Sequence, residues 1–200
     1  MIDTIIFDFG DIFINLDKQA TIDGLKKLGL SRWNEDLDEL NIKFEKGQIS
    51  RENFLLGFQK HMPNASIDEI LEAWNAVLLD FPLYRLEFLQ KLSQKYRLFL
   101  LSNTDSIHID TFEKDQGPSF YSDFYQCFEK VYFSFEMEMR KPDPEIYSHI
   151  LNQHGLIPKH TLFIDDKKEN TDSALALGIN VWNLQVGQED VVHLFDKKIL

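Results

Sequence analysis

Four short stretches of this 200-residue chain carry residue types that phosphate chemistry needs. Three follow apolar runs and end in Asp8, in Ser102 and Asn103, and in Asp165 and Asp166. A carboxylate can attack phosphorus or hold a cation, and hydroxyl or amide groups can bind phosphoryl oxygens. Lys141 lies between the second and third runs, and a compact ammonium can neutralise a phosphate. Together these stretches indicate a phosphoryl-transfer site.

Each of these residues also has an ordinary structural explanation. An Asp after a strand commonly forms a turn, and a Ser-Asn pair there can cap the next helix. The adjacent Asp165 and Asp166 can form a solvated turn, although two carboxylates at the end of an apolar strand repel one another unless a cation neutralises them. The phosphoryl-transfer hypothesis therefore depends on all four stretches in their order along the chain.

Composition limits the partners and the compartment. The net charge of -12 without a basic stripe makes nucleic acid and anionic membranes poor partners, so an anionic substrate needs local positive charge from a cation and Lys141. The single cysteine, Cys127, excludes an intramolecular disulfide. The first residues lack a signal-peptide pattern, and no apolar run approaches the ~20 residues of a membrane span. We expect a cytoplasmic protein, either a monomer or a homodimer.

The elements that must position these residues begin with a strand and then a helical stretch. Residues 4–9 are apolar and β-branched, which predicts a buried strand. Residues 17–80 show helical periodicity with charged faces. Gly29 and Gly47 are typical of helix C-termini, and Ser50 and Ser66 are typical of N-caps.

From Pro82 onwards, helices and strands alternate. Predicted helices cover 82–96, start at 105, cover 144–154 and 170–177, and end the chain, while predicted strands cover 97–101, 131–133, 161–164 and 180–184. This alternation predicts an α/β fold with a doubly wound parallel sheet. Ligands of such sheets bind outside the carboxyl ends of the strands, where Asp8, Ser102 and Asp165 are expected to lie.

The four stretches resemble, in order, the four motifs of the haloacid dehalogenase (HAD) superfamily. They read Asp8-Phe9-Gly10-Asp11, Leu101-Ser102-Asn103-Thr104, Arg140-Lys141-Pro142-Asp143, and Phe163-Ile164-Asp165-Asp166 followed by Asn170. The subgroup that the chain resembles is that of sugar-phosphate phosphatases similar to α-D-glucose-1-phosphate phosphatase, and the phosphatase domain of epoxide hydrolase is a further relative. The resemblance covers essentially the whole chain and implies a HAD-like Rossmannoid core at 1–15 and 82–200. It also implies a small α-helical cap at 16–81, inserted after the first strand.

This resemblance implies a magnesium-dependent phosphatase acting on a small phosphorylated metabolite, with a sugar phosphate as the expected substrate. Asp8 would attack phosphorus and form an aspartyl-phosphate, which water then hydrolyses. The Mg²⁺ ion would be held by the Asp8 carboxylate, the Gly10 backbone carbonyl and Asp166.

The resemblance also implies roles for the remaining motif residues. Ser102 and the Asn103 amide would hold phosphoryl oxygens. Lys141 would bridge the nucleophile and the phosphate as a second catalytic residue. Asp165 and Asn170 would orient the metal-binding groups.

Gly10 departs from the pattern of most phosphatases in the superfamily. They carry a second Asp two residues after the nucleophile, which acts as general acid and then as general base, although the glucose-1-phosphatase-like subgroup also tends to carry Gly. Asp11 follows, and strand-like alternation would point it elsewhere, whereas a turn can bring it back. The proton donor to the leaving oxygen is therefore open between a substrate hydroxyl, metal-bound water and Asp11.

Other function classes share parts of the pattern. A 2-haloacid dehalogenase would use Asp8 and also lacks the second Asp, but it needs no metal and would leave Asp165 and Asp166 unneutralised. A phosphomutase would need the missing acid-base Asp, and a response-regulator receiver has its acidic pair first in the chain. The main non-enzyme alternative is a catalytically weak binding protein with the HAD fold, which only Gly10 supports.

Substrate specificity is expected in the cap, because the core motifs recognise only phosphate. Residues that can face the site are 11–17, Trp33, Lys43, Phe44 and Trp74, and none is assigned because Trp and Phe at helical spacing are more often core residues. His61 and His108 lack a partner at metal-ligand spacing. We expect both histidines at surface or helix-capping positions.

Overall fold

A five-stranded parallel sheet forms the centre of the computed structural model, which describes residues 1–199. Its strands are β1 (Thr4–Phe7), β2 (Arg97–Ser102), β3 (Lys130–Phe133), β4 (Thr161–Asp165) and β5 (Asn180–Asn183). They lie in the order β3-β2-β1-β4-β5, and each neighbouring pair is parallel. The predicted α/β fold with a doubly wound parallel sheet is confirmed.

Helices cover both faces of this sheet. They are α1 (Lys18–Lys27), α2 (Glu35–Glu45), α3 (Arg51–Gln59), α4 (Ile67–Asn75), α5 (Leu83–Leu92), α6 (Ser106–Gln116), α7 (Pro118–Tyr125), α8 (Ser134–Met137), α9 (Pro144–His154) and α10 (Lys168–Ala176). Ile5 and Phe7 of β1 face a core shared with α5, α6 and α7, whereas Ile6 faces α9 and α10. Burial on both faces explains why the strand sequences are continuously apolar.

Helices α1 to α4, which lie between β1 and β2 in the chain, form a separate layer. Its apolar cluster includes Phe54 and Trp74, and Ile107 of α6 also belongs to it. The chain enters and leaves this layer through two adjacent segments. Asn15 N donates to Asp80 O at 2.9 Å, and Leu79 N donates to Asn15 O at 3.0 Å. We call this layer the cap; its limits at 16 and 81 stay a prediction.

Most helix boundaries follow local capping. Asn34 and Ser50 accept backbone hydrogen bonds at the starts of α2 and α3, and Ser66 forms a capping box with Glu69 at the start of α4. The helix predicted from 105 is divided, because Gly117 has a φ of 81° that an α-helix does not accommodate. The last predicted helix is a 3₁₀ segment over Val191–Lys197.

The helices of residues 1–199 are all too short or too polar to cross a lipid bilayer. The cytoplasmic location and the choice between monomer and homodimer stay predictions.

Candidate active site

The register of the sheet brings the polar strand ends together. Phe7 pairs with Leu100 on β2 and with Ile164 on β4, so the carboxyl ends of the three strands meet at one edge. A cavity of about 190 Å³ opens at this edge. The predicted site residues among its lining are Asp8, Gly10, Ser102, Asn103, Lys141, Asp166 and Asn170. Asp165 and Asp11 lie outside this lining.

Lys141 is the buried cation of the site. Its Nζ lies 2.8 Å from Asp8 Oδ1 and 2.7 Å from Asp165 Oδ2, and its side chain is fully shielded from solvent. Burial lowers the pKa of Lys141, but the Asp165 and Asp8 carboxylates outweigh this effect and raise it above its ordinary value. The ammonium is therefore charged at neutral pH and joins two carboxylates.

The surroundings of Asp8 contain more negative charge than Lys141 alone can neutralise. Burial is the largest cause that raises the pKa of Asp8 to about 7; Lys141 opposes it, while Asp165 and Asp166 add to it. A bound phosphate would add further negative charge. The cavity therefore favours an additional cation, which would also keep Asp8 ionised.

The chemistry of the carboxylates fits such a cation. Oxygen atoms of Asp8, Asp165 and Asp166 lie within 4.8 Å of one another, a grouping of carboxylates that can hold a divalent metal ion. Asp8 and Asp166 line the cavity, whereas Asp165 does not.

Both Asp165 oxygens are already hydrogen-bonded by the protein. Oδ1 accepts from Lys167 N at 2.8 Å and from Asn170 Nδ2 at 3.0 Å, and Oδ2 accepts from Asn170 Nδ2 at 2.9 Å as well as from Lys141. Because both Asp165 oxygens are engaged in this way, Asp165 and Asn170 are better suited to orienting Lys141 than to ligating a metal.

The side chain of Asn103 positions Lys141 by binding the backbone of that lysine. The Asn103 side chain donates to Lys141 O at 2.8 Å and accepts from Lys141 N at 2.9 Å. Because both polar ends of this side chain are occupied, a phosphate contact at Asn103 would use its backbone N–H. Ser102 is buried at the end of β2 and lines the same cavity.

The turn after Asp8 places Asp11 away from the cavity. Asp11 has a φ of 58°, its Oδ1 accepts from Leu16 N at 3.1 Å, and its Oδ2 accepts from Lys18 Nζ at 2.8 Å. This carboxylate stabilises the turn. A Cβ at Gly10 would lie 2.7 Å from Leu16 Cδ1, so a larger residue there would require the Leu16 side chain to move.

Lys18 is a cavity residue that the sequence analysis missed. It is the first residue of α1, and its Nζ bridges Asp11 and Asp166, with a distance of 3.2 Å to Asp166 Oδ2. Burial lowers the pKa of Lys18, but Asp11 and Asp166 raise it overall. The sequence signal that could have suggested this position for Lys18 is the start of a helix shortly after the first strand.

His108 and Trp74 form part of the cavity wall where the cap meets the core. His108 lies in the first turn of α6, where its backbone N–H donates to the N-cap residue Asp105, in agreement with the capping position expected for it. His108 Nδ1 lies 2.8 Å from Asp105 Oδ2 and its Nε2 lies 3.1 Å from Trp74 O. Both neighbouring atoms are acceptors, and this arrangement favours the imidazolium, in which both ring nitrogens donate. Burial lowers the pKa of His108, but Asp105 and, to a smaller extent, Glu45 raise it overall.

His108→Gln is expected to lower the free energy of unfolding by about 1 to 3 kcal/mol near pH 6, because it removes a hydrogen-bonded charge. A histidine whose pKa is raised in the folded state stabilises the protein fully at pH values below its ordinary pKa of 6.5. This stabilisation is lost as the pH rises through the pKa of the folded state. The pKa of Asp105 is lowered, despite its burial, by His108, so Asp105 stays ionised over this range.

Urea denaturation in EDTA from pH 6 to 9 measures this effect. The difference between wild type and His108→Gln should shrink as the pH rises. His61→Gln, a matched substitution outside the cavity lining, serves as the control. A constant difference across the pH range would contradict a charged His108.

Residues 5–184 match the family model for haloacid dehalogenase-like hydrolases. The chain belongs to this family. The predicted superfamily is therefore confirmed, and the matched range includes all four motifs as well as the cap. Asp8, Ser102, Lys141 and Asp166 of this HAD protein, which come from the four motifs, line one cavity.

Relatives of this HAD protein cover nearly its full length. It is 26% identical to the D-ribitol-5-phosphate phosphatase of Bacteroides thetaiotaomicron over 199 residues, 94% of this chain and 95% of that protein. A HAD family enzyme from the same organism, solved with magnesium and inorganic phosphate, has a TM-score of 0.87 and 39% identity, covering 98% of this chain and all (100%) of that one. A predicted HAD-like hydrolase from Porphyromonas gingivalis has a TM-score of 0.84 and 28% identity, covering 98% and 97%.

Proposed function

We propose that this chain is a magnesium-dependent phosphatase of small phosphomonoesters, with sugar phosphates and sugar alcohol phosphates as its favoured substrates. The observation that carries this proposal is the convergence of Asp8, Ser102 and Lys141 on one cavity beside a carboxylate set suited to a cation. The related phosphatase that acts on D-ribitol 5-phosphate supports the substrate class.

In the first step, an Asp8 carboxylate oxygen forms a bond to phosphorus and the phosphorus–oxygen bond of the ester breaks. The alcohol leaves with one proton. Water then attacks the aspartyl-phosphate, which releases inorganic phosphate and regenerates Asp8. Lys141 offsets charge on Asp8 and on the phosphoryl oxygens, and Asp165 together with Asn170 keeps its ammonium in place.

Magnesium would be held by Asp8, by Asp166 and by the Gly10 carbonyl, and would supply Lewis-acid stabilisation of phosphoryl charge. Lys18 Nζ, which lies 3.2 Å from Asp166 Oδ2, adds positive charge beside that carboxylate. Asp11 is not part of the proposal as proton donor, because its carboxylate is held by the turn and by Lys18. A water molecule, either directly or through a substrate hydroxyl, is the proposed source of the proton on the leaving oxygen.

Chelation is expected to abolish hydrolysis. Activity on a panel of sugar and sugar alcohol phosphates should fall to the blank rate in excess EDTA, because Lys141, already shared by Asp8 and Asp165, would then have to offset the phosphate charge as well. Adding Mg²⁺ beyond the EDTA concentration should restore the rate. Phosphate release that is unaffected by EDTA would contradict the proposed metal dependence.

The dehalogenase alternative is tested on the same protein by following chloride release from 2-chloropropionate. We expect none, because the three neighbouring carboxylates favour a metal-dependent reaction over halide displacement. A protein that binds these phosphates in calorimetry but hydrolyses none would instead be the HAD-fold binding protein.

A further inference from the structure

The cap side of the catalytic cavity contains a buried carbonyl oxygen that lacks a hydrogen bond. Asn41 of α2 lines the cavity, and its Oδ1 is shielded from solvent and has no hydrogen-bond partner within residues 1–199. Leaving a buried acceptor without a hydrogen bond destabilises the folded protein. A small rotation of this amide towards the cavity would let a donor on a ligand reach the oxygen and remove this destabilisation.

Glu45 adds a second acceptor one helical turn later. Arg140 holds Glu45 Oε2 through its Nε at 3.0 Å and its Nη2 at 2.8 Å. Glu45 Oε1 receives the Asn41 side-chain amide at 3.4 Å, which is a long hydrogen bond. Residues four positions apart share a helix face, and both of these residues line the cavity. The pair therefore has unused capacity to accept hydrogen bonds.

Trp74 and His108 contribute a different surface to the same cavity. Trp74 Nε1 donates to Asp105 Oδ2 at 3.2 Å, and both His108 nitrogens are held by Asp105 and Trp74. The two rings stack with centroids 5.2 Å apart and an interplanar angle of 13°. Because their polar atoms are already bonded within the protein, these rings offer mainly carbon surface to a ligand.

We propose that Asn41 and Glu45 form a hydroxyl-binding subsite that selects phosphate esters of polyols over phosphate esters of plain alcohols. A polyol carries both the hydroxyl donors that the acceptor pair lacks and the C–H groups that suit the rings. Arg140 offsets the charge of Glu45, which favours a neutral hydroxyl over an ammonium group. This inference rests on the proposed phosphatase function and deepens it.

Asn41→Leu tests the subsite, because leucine has a similar size but cannot form a hydrogen bond. With Mg²⁺ present, kcat/KM for ribitol 5-phosphate should fall about tenfold, the scale of a lost hydrogen bond, while kcat/KM for n-propyl phosphate should change less than about twofold. Asn75→Leu is the matched control, since Asn75 Oδ1 is also buried without a partner but Asn75 does not line the cavity. The control should affect neither ester.

Calorimetric binding to Asp8→Asn protein separates the subsite from catalysis. In that background, Asn41→Leu should weaken the binding of ribitol 5-phosphate and leave that of n-propyl phosphate unchanged. If wild type hydrolyses neither ester, the proposed phosphatase function fails, and this binding comparison still decides the subsite. The subsite proposal would be overturned if Asn41→Leu affected both esters equally or affected neither. Tighter binding of phosphoethanolamine than of glycerol phosphate would also overturn it.

Discussion

Asp8→Asn is expected to lower kcat for phosphomonoester hydrolysis by about 10³-fold or more, because an amide cannot form the aspartyl-phosphate. The Asp8 carboxylate lies 2.8 Å from Lys141 Nζ and lines the cavity, where a phosphate ester could approach it. Initial rates on the best ester of the panel, with Mg²⁺, measure the effect.

The same variant is expected to be more stable than wild type in EDTA. Burial raises the pKa of Asp8 to about 7, so the folded protein favours the neutral form. The neutral Asp8 carboxyl therefore stabilises the folded state fully at pH values below the ordinary pKa of 3.8, and this stabilisation is lost as the pH rises through about 7. Because one pKa unit corresponds to about 1.4 kcal/mol, removing the charge should raise the free energy of unfolding measurably at pH 8.

The combination of lost activity and gained stability separates a missing nucleophile from misfolding. Asp115→Asn, which changes an exposed carboxylate on α6, should alter neither quantity. Retained hydrolysis in Asp8→Asn would exclude Asp8 as the nucleophile. Lost activity together with lower stability would instead indicate that Asp8 has mainly a structural role.

Lys141→Met is expected to have the opposite effect on stability. It leaves Asp8 and Asp165 buried without their shared cation, and removing one partner from a buried ion pair costs about 3 to 5 kcal/mol. Hydrolysis should fall by about 10²-fold or more, because the positive charge opposite the phosphate is lost. Urea denaturation in EDTA and initial rates measure the two effects.

A double variant tests whether these charges act together. Asp8→Asn combined with Lys141→Met should lose less stability than the sum of the single changes, since one of the two stranded carboxylates is then neutral. Lys114→Met, an exposed lysine on α6, provides the control for removing a positive charge. Additivity within about 0.5 kcal/mol would show that the buried lysine and Asp8 are not energetically coupled.

The sheet and its order of elements could be predicted because their signals are local. Each strand is a short apolar run, and glycines and capping side chains mark the helix ends near positions 29, 47, 50 and 66. The division between α6 and α7 at Gly117 was missed, since its left-handed φ depends on how the two helices pack. The strand predicted over residues 4–9 is shorter in the structure. β1 ends at Phe7 because the chain turns immediately after this residue.

The cap side of the cavity could not be predicted in this way. His108 contacts Trp74 across 34 positions, and Arg140 contacts Glu45 across 95 positions. Neither pair has a spacing that a sequence pattern can reveal, because both contacts exist only when the cap packs on the core. The same packing places Lys18 beside Asp166 across 148 positions.

By itself, the sequence determined the parallel sheet, the family motifs and the set of residue types for phosphate chemistry. This was possible because each motif follows its own strand, and the carboxyl ends of parallel strands meet at one edge. Only the tertiary structure decided that Asp11 belongs to a turn, that Asp165 serves Lys141, and that Asn41 has an unused acceptor in the cavity. These properties depend on backbone angles and on contacts between distant segments, which exist only in the folded chain.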